Sequence, residues 1–257
     1  MFSMSKHCQV LFVLSLILLV PLQDLMAEDL DLKESSAKQV SMNGTSDGGA
    51  PIENPSVDSG PIYRPPLRGA PMGRIAGGTR GPDDATPFLC ALVPEHIGLT
   101  TMPQPNLYWY ISSPSPHPAV FTISEKGANR PIAETPLLEQ DTAGLQSVSL
   151  SDLGISLQTG KTYLWFVALV PDDENRSKDI LTRGGIRRVQ ESSALSRALQ
   201  DPPEGQEAAV YARHGLWYDA LNSLMMQSVT PENDPTVARH LDSLLRQANL
   251  AEIAWRP

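Results

Sequence analysis

The central part of the chain, from about Thr86 to Gln190, alternates short apolar or β-branched runs with turns rich in glycine, proline, asparagine and aspartate. The clearest runs are Phe88 to Val93, Leu107 to Ile111, Ala119 to Ile123 and Thr162 to Val170. Runs of this length bounded by turn residues are typical of β-strands, and no long helical periodicity interrupts them. About seven such strands predict an all-β, antiparallel sandwich built around one apolar core.

A short motif near the end of this region makes the prediction more specific. Leu157, Gly160 and Tyr163 have the order and spacing of the tyrosine corner of immunoglobulin-like and fibronectin type III sandwiches. In that corner a tyrosine near the start of a late strand bonds to the backbone a few residues upstream, and a glycine allows the turn. We therefore predict an immunoglobulin-like sandwich over residues 70–190, and an ordinary hairpin with an inward tyrosine is the alternative.

Beyond Val189 the pattern becomes helical. Apolar residues recur with helical spacing around Tyr211, and Asp234-Pro235 is the pair expected at an N-cap and the first helical position. Tyr211 and Gly215 have counterparts about 34 residues further on, which is the period of tetratricopeptide repeats. Because an isolated pair of such repeats cannot bury a core, we predict a small tetratricopeptide-like α-helical segment over residues 191–257 that packs on the sandwich, with Trp217 and Trp255 in the contact.

The first 27 residues have the organisation of a secretory signal peptide. A basic start at Lys6 precedes an apolar run from Val10 to Val20, and Ala27 offers a small residue at the cleavage position. The run is shorter than the ~20 residues that span a bilayer, although an uncleaved anchor is the alternative because Leu25 suits a cleavage site poorly. We therefore expect a periplasmic or extracellular protein with no transmembrane segment after cleavage.

Residues 28–69 form a Ser-, Gly- and Pro-rich acidic stretch with few aromatic residues, for which we predict a disordered leader. The whole chain has a formal net charge of −9, which disfavours binding to nucleic acid or to an anionic membrane. Cys8 lies in the predicted signal peptide, so Cys90 is the only cysteine expected in the mature chain. An intrachain disulfide and a thiolate zinc site are therefore excluded.

The stretch from Gly73 to Gly81 contains Arg74-Ile75-Ala76-Gly77-Gly78, which has the form of a trypsin-like activation site. The chain has neither a Gly-Asp-Ser-Gly motif nor a histidine in the matching context, so that class of enzyme is excluded. A phosphate-binding loop is also excluded, because prolines at both ends prevent a helix from beginning there. We interpret the stretch as a glycine-rich turn after the leader.

Other sites for metals, cofactors or catalysis receive little support. His96, His117, His214 and His240 are far apart in sequence and lack the spacing of metal ligands. The acidic loop from Pro171 to Asp179 offers oxygen ligands but no calcium-binding repeat, so weak calcium binding is only the alternative to a solvated hairpin. We predict no metal and no cofactor.

Several motifs occur in an order that resembles a known family. In chain order they are Gly69 to Gly81, Ala91 to Glu95, Gly98 to Thr100, Tyr108 to Ile111 and Tyr211 to Leu221. Together they resemble the family described as domain of unknown function 928, which is largely cyanobacterial. The resemblance spans Gly69 to the C-terminus and departs from the family pattern at His96 and Ile97. It implies an exported protein with no assigned activity, and it supplies no catalytic residues.

The favoured hypothesis is a non-enzymatic envelope protein that acts as a binding or scaffolding module for another envelope protein or surface. The candidate binding residues are Tyr108, Trp109 and Tyr110 on a predicted strand and Trp217 and Tyr218 on a predicted helix. A groove between the sandwich and the helices is a second candidate surface. A hydrolase acting on cell-wall or glycan material is the alternative, and it requires a histidine such as His117 or His214 beside a serine or carboxylate. A homo-oligomeric structural protein is a third possibility.

Overall fold

Eight β-strands and four α-helices form in the part of the chain that the computed structural model describes, residues 60–66, 86–137, 141–202, 205–227 and 234–253. The strands are β1 (Leu89–Ala91), β2 (Gly98–Thr100), β3 (Asn106–Ile111), β4 (Ala119–Glu125), β5 (Ala133–Pro136), β6 (Gly144–Ser149), β7 (Thr162–Leu169) and β8 (Ile180–Arg188). The helices are α1 (Ser193–Ala198), α2 (Glu207–Arg213), α3 (Trp217–Gln227) and α4 (Pro235–Gln247). The predicted signal peptide, the glycine-rich turn and Trp255 lie outside the described residues.

The strands form two sheets, which confirms the mostly β architecture predicted from the sequence. One sheet has three strands in the order β1-β3-β6, and the other has five in the order β2-β8-β7-β4-β5. Neighbouring strands are antiparallel except for β2 and β8, which run parallel. This pair departs from the antiparallel sandwich expected. It arises because the chain leaves the first sheet near Pro94, which has no N–H to continue a ladder, and joins the edge of the second sheet beside β8.

Burial alternates along the strands of the larger sheet as a half-buried sheet requires. In β7, Tyr163, Trp165, Val167 and Leu169 are buried, while the residues between them are only partly buried. Successive side chains of a strand point to opposite faces, so one face of β7 lies in the core. The strand lies within the run from Thr162 to Val170 that the sequence predicts as a strand.

Both sheets contribute large side chains to one core. The fully buried ones include Leu89, Leu107, Trp109 and Ile111 from the three-stranded sheet and Phe121, Ile123, Trp165 and Leu169 from the five-stranded sheet. Full burial of such a side chain contributes about 1.5–3 kcal/mol each. The apolar runs of the sequence therefore stabilise the contact between the two sheets.

The turn before β7 has the contacts expected of a tyrosine corner. The hydroxyl of Tyr163 accepts a hydrogen bond of 2.9 Å from the main-chain N–H of Gln158. Leu157 is buried, and Gly160 has a φ of +84°, which a residue with a side chain adopts at a cost. This local geometry agrees with the prediction made from the same three residues.

Helix α4 begins where its sequence indicates. The carboxylate of Asp234 accepts hydrogen bonds from the N–H groups of Thr236 and Val237, at 2.8 and 3.3 Å, and Pro235 occupies the first turn of α4.

None of the helices in the described ranges is both long and apolar enough to cross a membrane.

The ends of α2 and α4 have the same geometry. Gly215 follows α2 with a φ of +74°, and Asn249 follows α4 with a φ of +56°. In both turns an N–H bonds back to a helix carbonyl at 3.0 Å, from Leu216 to Tyr211 and from Leu250 to Leu245. The two turns therefore end their helices in the same way. They are separated by the spacing of about 34 residues that relates the two segments in the sequence.

Residues 60–66 lie against α2 and α4. Pro61 and Tyr63 are buried there, and the N–H of Arg64 donates a hydrogen bond of 3.0 Å to the carbonyl of Ala212. These residues fall within residues 28–69, the segment expected to be a disordered leader. The remainder of that segment lies outside the described residues.

Candidate functional site

Helix α3 is fixed to the sandwich by hydrogen bonds in the core, and Tyr218 makes two of them. Its hydroxyl accepts a bond of 3.0 Å from the indole N–H of Trp165 on β7 and donates one of 3.1 Å to the carbonyl of Gly185 on β8. The ring lies against Gly98 of β2, where a Cβ atom would be 2.7 Å from it. Burial raises the pKa of the hydroxyl, which therefore stays protonated and able to donate.

Polar side chains of α3 extend this attachment to the ends of two strands. The buried carboxylate of Asp219 accepts from the N–H of Thr101 at 3.0 Å and from the hydroxyl of the same residue. The amide of Asn222 bonds to both main-chain groups of Asn106, at 3.1 Å to the N–H and 3.0 Å to the carbonyl. Burial raises the pKa of Asp219, and the bonds from Thr101 oppose that rise. These contacts fix the position of α3 relative to β2 and β3.

The five aromatic residues predicted to bind a partner are mostly part of the core. Tyr108, Trp109, Trp217 and Tyr218 are 6%, 1%, 0% and 1% exposed, and Tyr110 is half-buried. The indole N–H of Trp217 donates to the carbonyl of Leu92 at 2.9 Å, so its polar atom is satisfied within the protein. The structure does not bring the five rings together as one exposed surface. Their role in binding stays a prediction.

A groove of about 480 Å³ opens between the sandwich and the helices. Its lining residues come from the loop between β2 and β3, the start of β3, and helices α2 and α3: Met102, Gln104, Asn106, Glu207, Tyr211, Asn222, Ser223 and Met226. A volume of this size lies within the range of roughly 300–1,000 Å³ typical of ligand sites. The groove occupies the second of the two surfaces proposed from the sequence.

The groove combines adaptable apolar side chains with polar groups. Met226 is 76% exposed at the end of α3, and Met102 and Tyr211 are half-buried. Burial raises the pKa of the Tyr211 hydroxyl, and nearby carboxylates such as Glu207 raise it further by a smaller amount. Methionine side chains adapt to partners of different shape, and exposed methionines are frequent at binding surfaces.

The histidines with resolved ring contacts do not have the partners that the hydrolase alternative requires. Nδ1 of His214 lies 2.9 Å from the carbonyl oxygen of Val210, one turn earlier in the same helical segment. Nε2 of His96 lies 2.8 Å from the hydroxyl of Tyr63, and burial lowers the pKa of this imidazole. His117 is half-buried in the loop before β4. The two ring contacts join imidazole to a carbonyl and a phenol, and neither forms a dyad with a serine or a carboxylate.

The acidic loop between β7 and β8 carries its own cations. Lys178 lies 2.8 Å from a carboxylate oxygen of Asp172, and Arg176 lies 2.8 Å from one of Asp179. The hydrogen bond from Lys178 lowers the pKa of Asp172. Within the described ranges no group of three or more histidine, cysteine or acidic side chains is placed to hold a metal ion.

Comparison with known proteins gives one match. The family model described as Domain of Unknown Function (DUF928) matches residues 75–257, in agreement with the resemblance drawn from the motifs. No curated protein and no solved structure matches the chain.

Proposed function

Because this chain belongs to the DUF928 family, whose description assigns no activity, we propose its function from its geometry: it is a non-enzymatic envelope protein that acts as a binding or scaffolding module. Residues 1–27 direct its export to the periplasm or the exterior. The observation that supports the proposal is the groove of about 480 Å³ between the sandwich and the helices.

The walls of the groove are rigid where they meet the core and adaptable at the rim. Asn222 is bonded to the main chain of Asn106, so these two lining residues keep a fixed distance. Met226 lies one turn further along α3, near the end of the helix, and its side chain is exposed. A fixed floor with a methionine at the rim suits a polypeptide segment of another envelope protein, because apolar side chains of different shapes can pack against the thioether.

The finer classification of the fold is also part of this proposal. We assign the sheets to an immunoglobulin-like sandwich, supported by the strand order β2-β8-β7-β4-β5 opposite β1-β3-β6 and by the tyrosine corner at Tyr163. We assign α2 to α4 to a tetratricopeptide-like segment, supported by the matching turns at Gly215 and Asn249. In this arrangement the sandwich presents one wall of the groove and the helices present the other.

Differential affinity capture tests the proposal. The full chain is used to capture proteins from envelope fractions, and Met226→Glu is compared with the wild type. The matched control is Ile132→Glu, which places the same charge at another exposed apolar residue. Ile132 lies just before β5, the strand at the edge of the five-stranded sheet. We expect a partner that the wild type and the control retain and that Met226→Glu loses. Equal capture by all three proteins, or turnover of a cell-wall or glycan substrate by purified protein, would overturn the proposal.

A further inference from the structure

Residues 60–66 have the conformation of a bound peptide. Burial alternates along the segment, with Pro61 and Tyr63 buried and Ile62 and Arg64 exposed. Alternation with a period of two is the pattern of an extended chain with one face against a surface. The segment therefore makes its contacts as an extended ligand does, through alternate side chains and the main chain.

The main chain of the segment is recognised by one side chain and one helix end. The amide of Gln247 on α4 donates a hydrogen bond of 2.7 Å to the carbonyl of Pro61 and accepts one of 2.8 Å from the N–H of Tyr63. The N–H of Arg64 donates to the carbonyl of Ala212 at the end of α2, at 3.0 Å. Main-chain hydrogen bonds of this kind supply affinity for an extended peptide largely independently of its sequence.

The ring of Tyr63 occupies an aromatic pocket. It is stacked on the imidazole of His96, with 5.9 Å between ring centroids and 7° between planes, and meets Trp217 edge to face at 5.1 Å and 79°. The hydroxyl is 2.8 Å from Nε2 of His96. A pocket that packs both the ring and its hydroxyl distinguishes tyrosine from other side chains.

Two glycines allow the segment to approach the helices closely. A Cβ atom on Gly60 would lie 2.9 Å from Cβ of Ser243 on α4, and a Cβ atom on Gly215 would lie 2.8 Å from the carbonyl oxygen of Arg64. Contacts this short are incompatible with a larger residue at either position. The first glycine belongs to the segment and restricts its sequence, whereas the second belongs to the surface that receives it.

We propose that this surface, formed by His96, Ala212, Gly215, Trp217 and Gln247, is a peptide-binding site for an extended segment with the pattern Gly-Pro-x-Tyr, and that residues 60–66 are its resident ligand. The surface residues all lie in the part of the chain that matches the family model, residues 75–257, and the resident segment precedes that part. The surface shares no residue with the groove between sandwich and helices, so this site stands independently of the proposed function.

A competition experiment with the full chain tests the site. The probe is a fluorescently labelled synthetic peptide of residues 60–66, and its binding is measured by fluorescence anisotropy. In the wild type the tethered segment competes at an effective concentration on the order of millimolar, so we expect Tyr63→Ala to bind the free peptide at least about tenfold more tightly. Ile62→Ala, which changes an exposed neighbour, is expected to behave as the wild type.

Two further proteins and one further peptide make the result decisive. Adding Gln247→Ala to Tyr63→Ala removes both amide bonds and is expected to abolish the gain in binding, and a probe with alanine in place of tyrosine is expected not to bind. Gly60→Val displaces the segment by a different clash and replaces Tyr63→Ala if that variant does not fold. The proposal would be overturned by a folded variant with a displaced segment that does not bind the wild-type peptide, or that binds the wild-type and alanine peptides equally.

Discussion

The hydroxyl oxygen of Tyr218 lies 3.0 Å from the indole nitrogen of Trp165, and this contact joins helix α3 to strand β7 inside the core. The same hydroxyl donates to the carbonyl of Gly185 on the adjacent strand. One phenol therefore satisfies a donor and an acceptor that are both buried and have no access to water. Together with the bonds of Asp219 and Asn222, this contact holds α3 against the sheets, and α3 forms part of one wall of the groove.

Tyr218→Phe removes the hydroxyl and leaves both of its partners buried. A buried polar group without a hydrogen bond costs about 1–3 kcal/mol, so we expect the variant to lose about 2–4 kcal/mol of the free energy of unfolding. The measurement is the midpoint of urea denaturation, with unfolding monitored by circular dichroism. Tyr110→Phe, at a half-buried tyrosine, is the matched control and is expected to change the midpoint little. Equal losses in the two variants would contradict the assigned role of Tyr218.

Tyr163→Phe tests the tyrosine corner. The hydroxyl accepts one hydrogen bond, from the N–H of Gln158, and that residue is exposed enough for water to replace the lost partner. We therefore expect a loss of about 1 kcal/mol, smaller than that of Tyr218→Phe and larger than that of Tyr110→Phe. The same denaturation measurement ranks the three variants. A loss as large as that of Tyr218→Phe would show that the corner organises more of the sandwich than its single hydrogen bond suggests.

The parts of the fold that the sequence predicted correctly are those set by local signals. The apolar, β-branched run from Thr162 to Val170 identifies β7, glycine and tyrosine spacing identifies the corner, and Asp234-Pro235 identifies the start of α4. Strand β2 was missed, because Gly98–Thr100 is too short to show a period. Its parallel pairing with β8 depends on where the chain crosses between sheets, and no local pattern encodes that crossing.

The candidate site was less predictable, because burial is a property of the assembled molecule. The aromatic character of Tyr218 makes it a candidate binding residue in the sequence, and only the docking of α3 places it in the core. Trp217 lies in the contact between helix and sheets that the sequence predicts for it, where it donates a hydrogen bond to Leu92. The packed segment was missed for a related reason. Ile62 is apolar but exposed, so it hides the alternation between Pro61 and Tyr63 that the structure makes evident.

The buried carboxylate of Asp219 predicts a dependence of stability on pH. Burial raises its pKa in the folded protein above the ordinary value of an aspartic acid, so folding favours the protonated form. The resulting stabilisation is complete below about pH 4 and is lost as the pH rises through the folded-state pKa. We expect the free energy of unfolding of the wild type, measured relative to Asp219→Asn, to fall as the pH rises from about 4 towards 7.

This comparison is made by urea denaturation at several pH values. Asp152→Asn removes a carboxylate from an exposed turn and controls for the change in net charge. A difference between the wild type and Asp219→Asn that stays constant over the range, or that rises with pH, would contradict the assignment.

Gly184 of β8 provides a test of the packing beneath the helices. A Cβ atom at this position would lie 2.6 Å from Cε2 and Nε1 of Trp165, whose ring is fully buried and has no space to move. We expect Gly184→Ala to cost about 1–3 kcal/mol of the free energy of unfolding through this overlap. In a Trp165→Phe background the overlapping atoms are absent, so the same substitution should cost less, and the double-mutant cycle should give a coupling of about 0.5–3 kcal/mol. Additive losses would instead place the strain of the alanine in the backbone of β8 and would contradict close packing of the indole on Gly184.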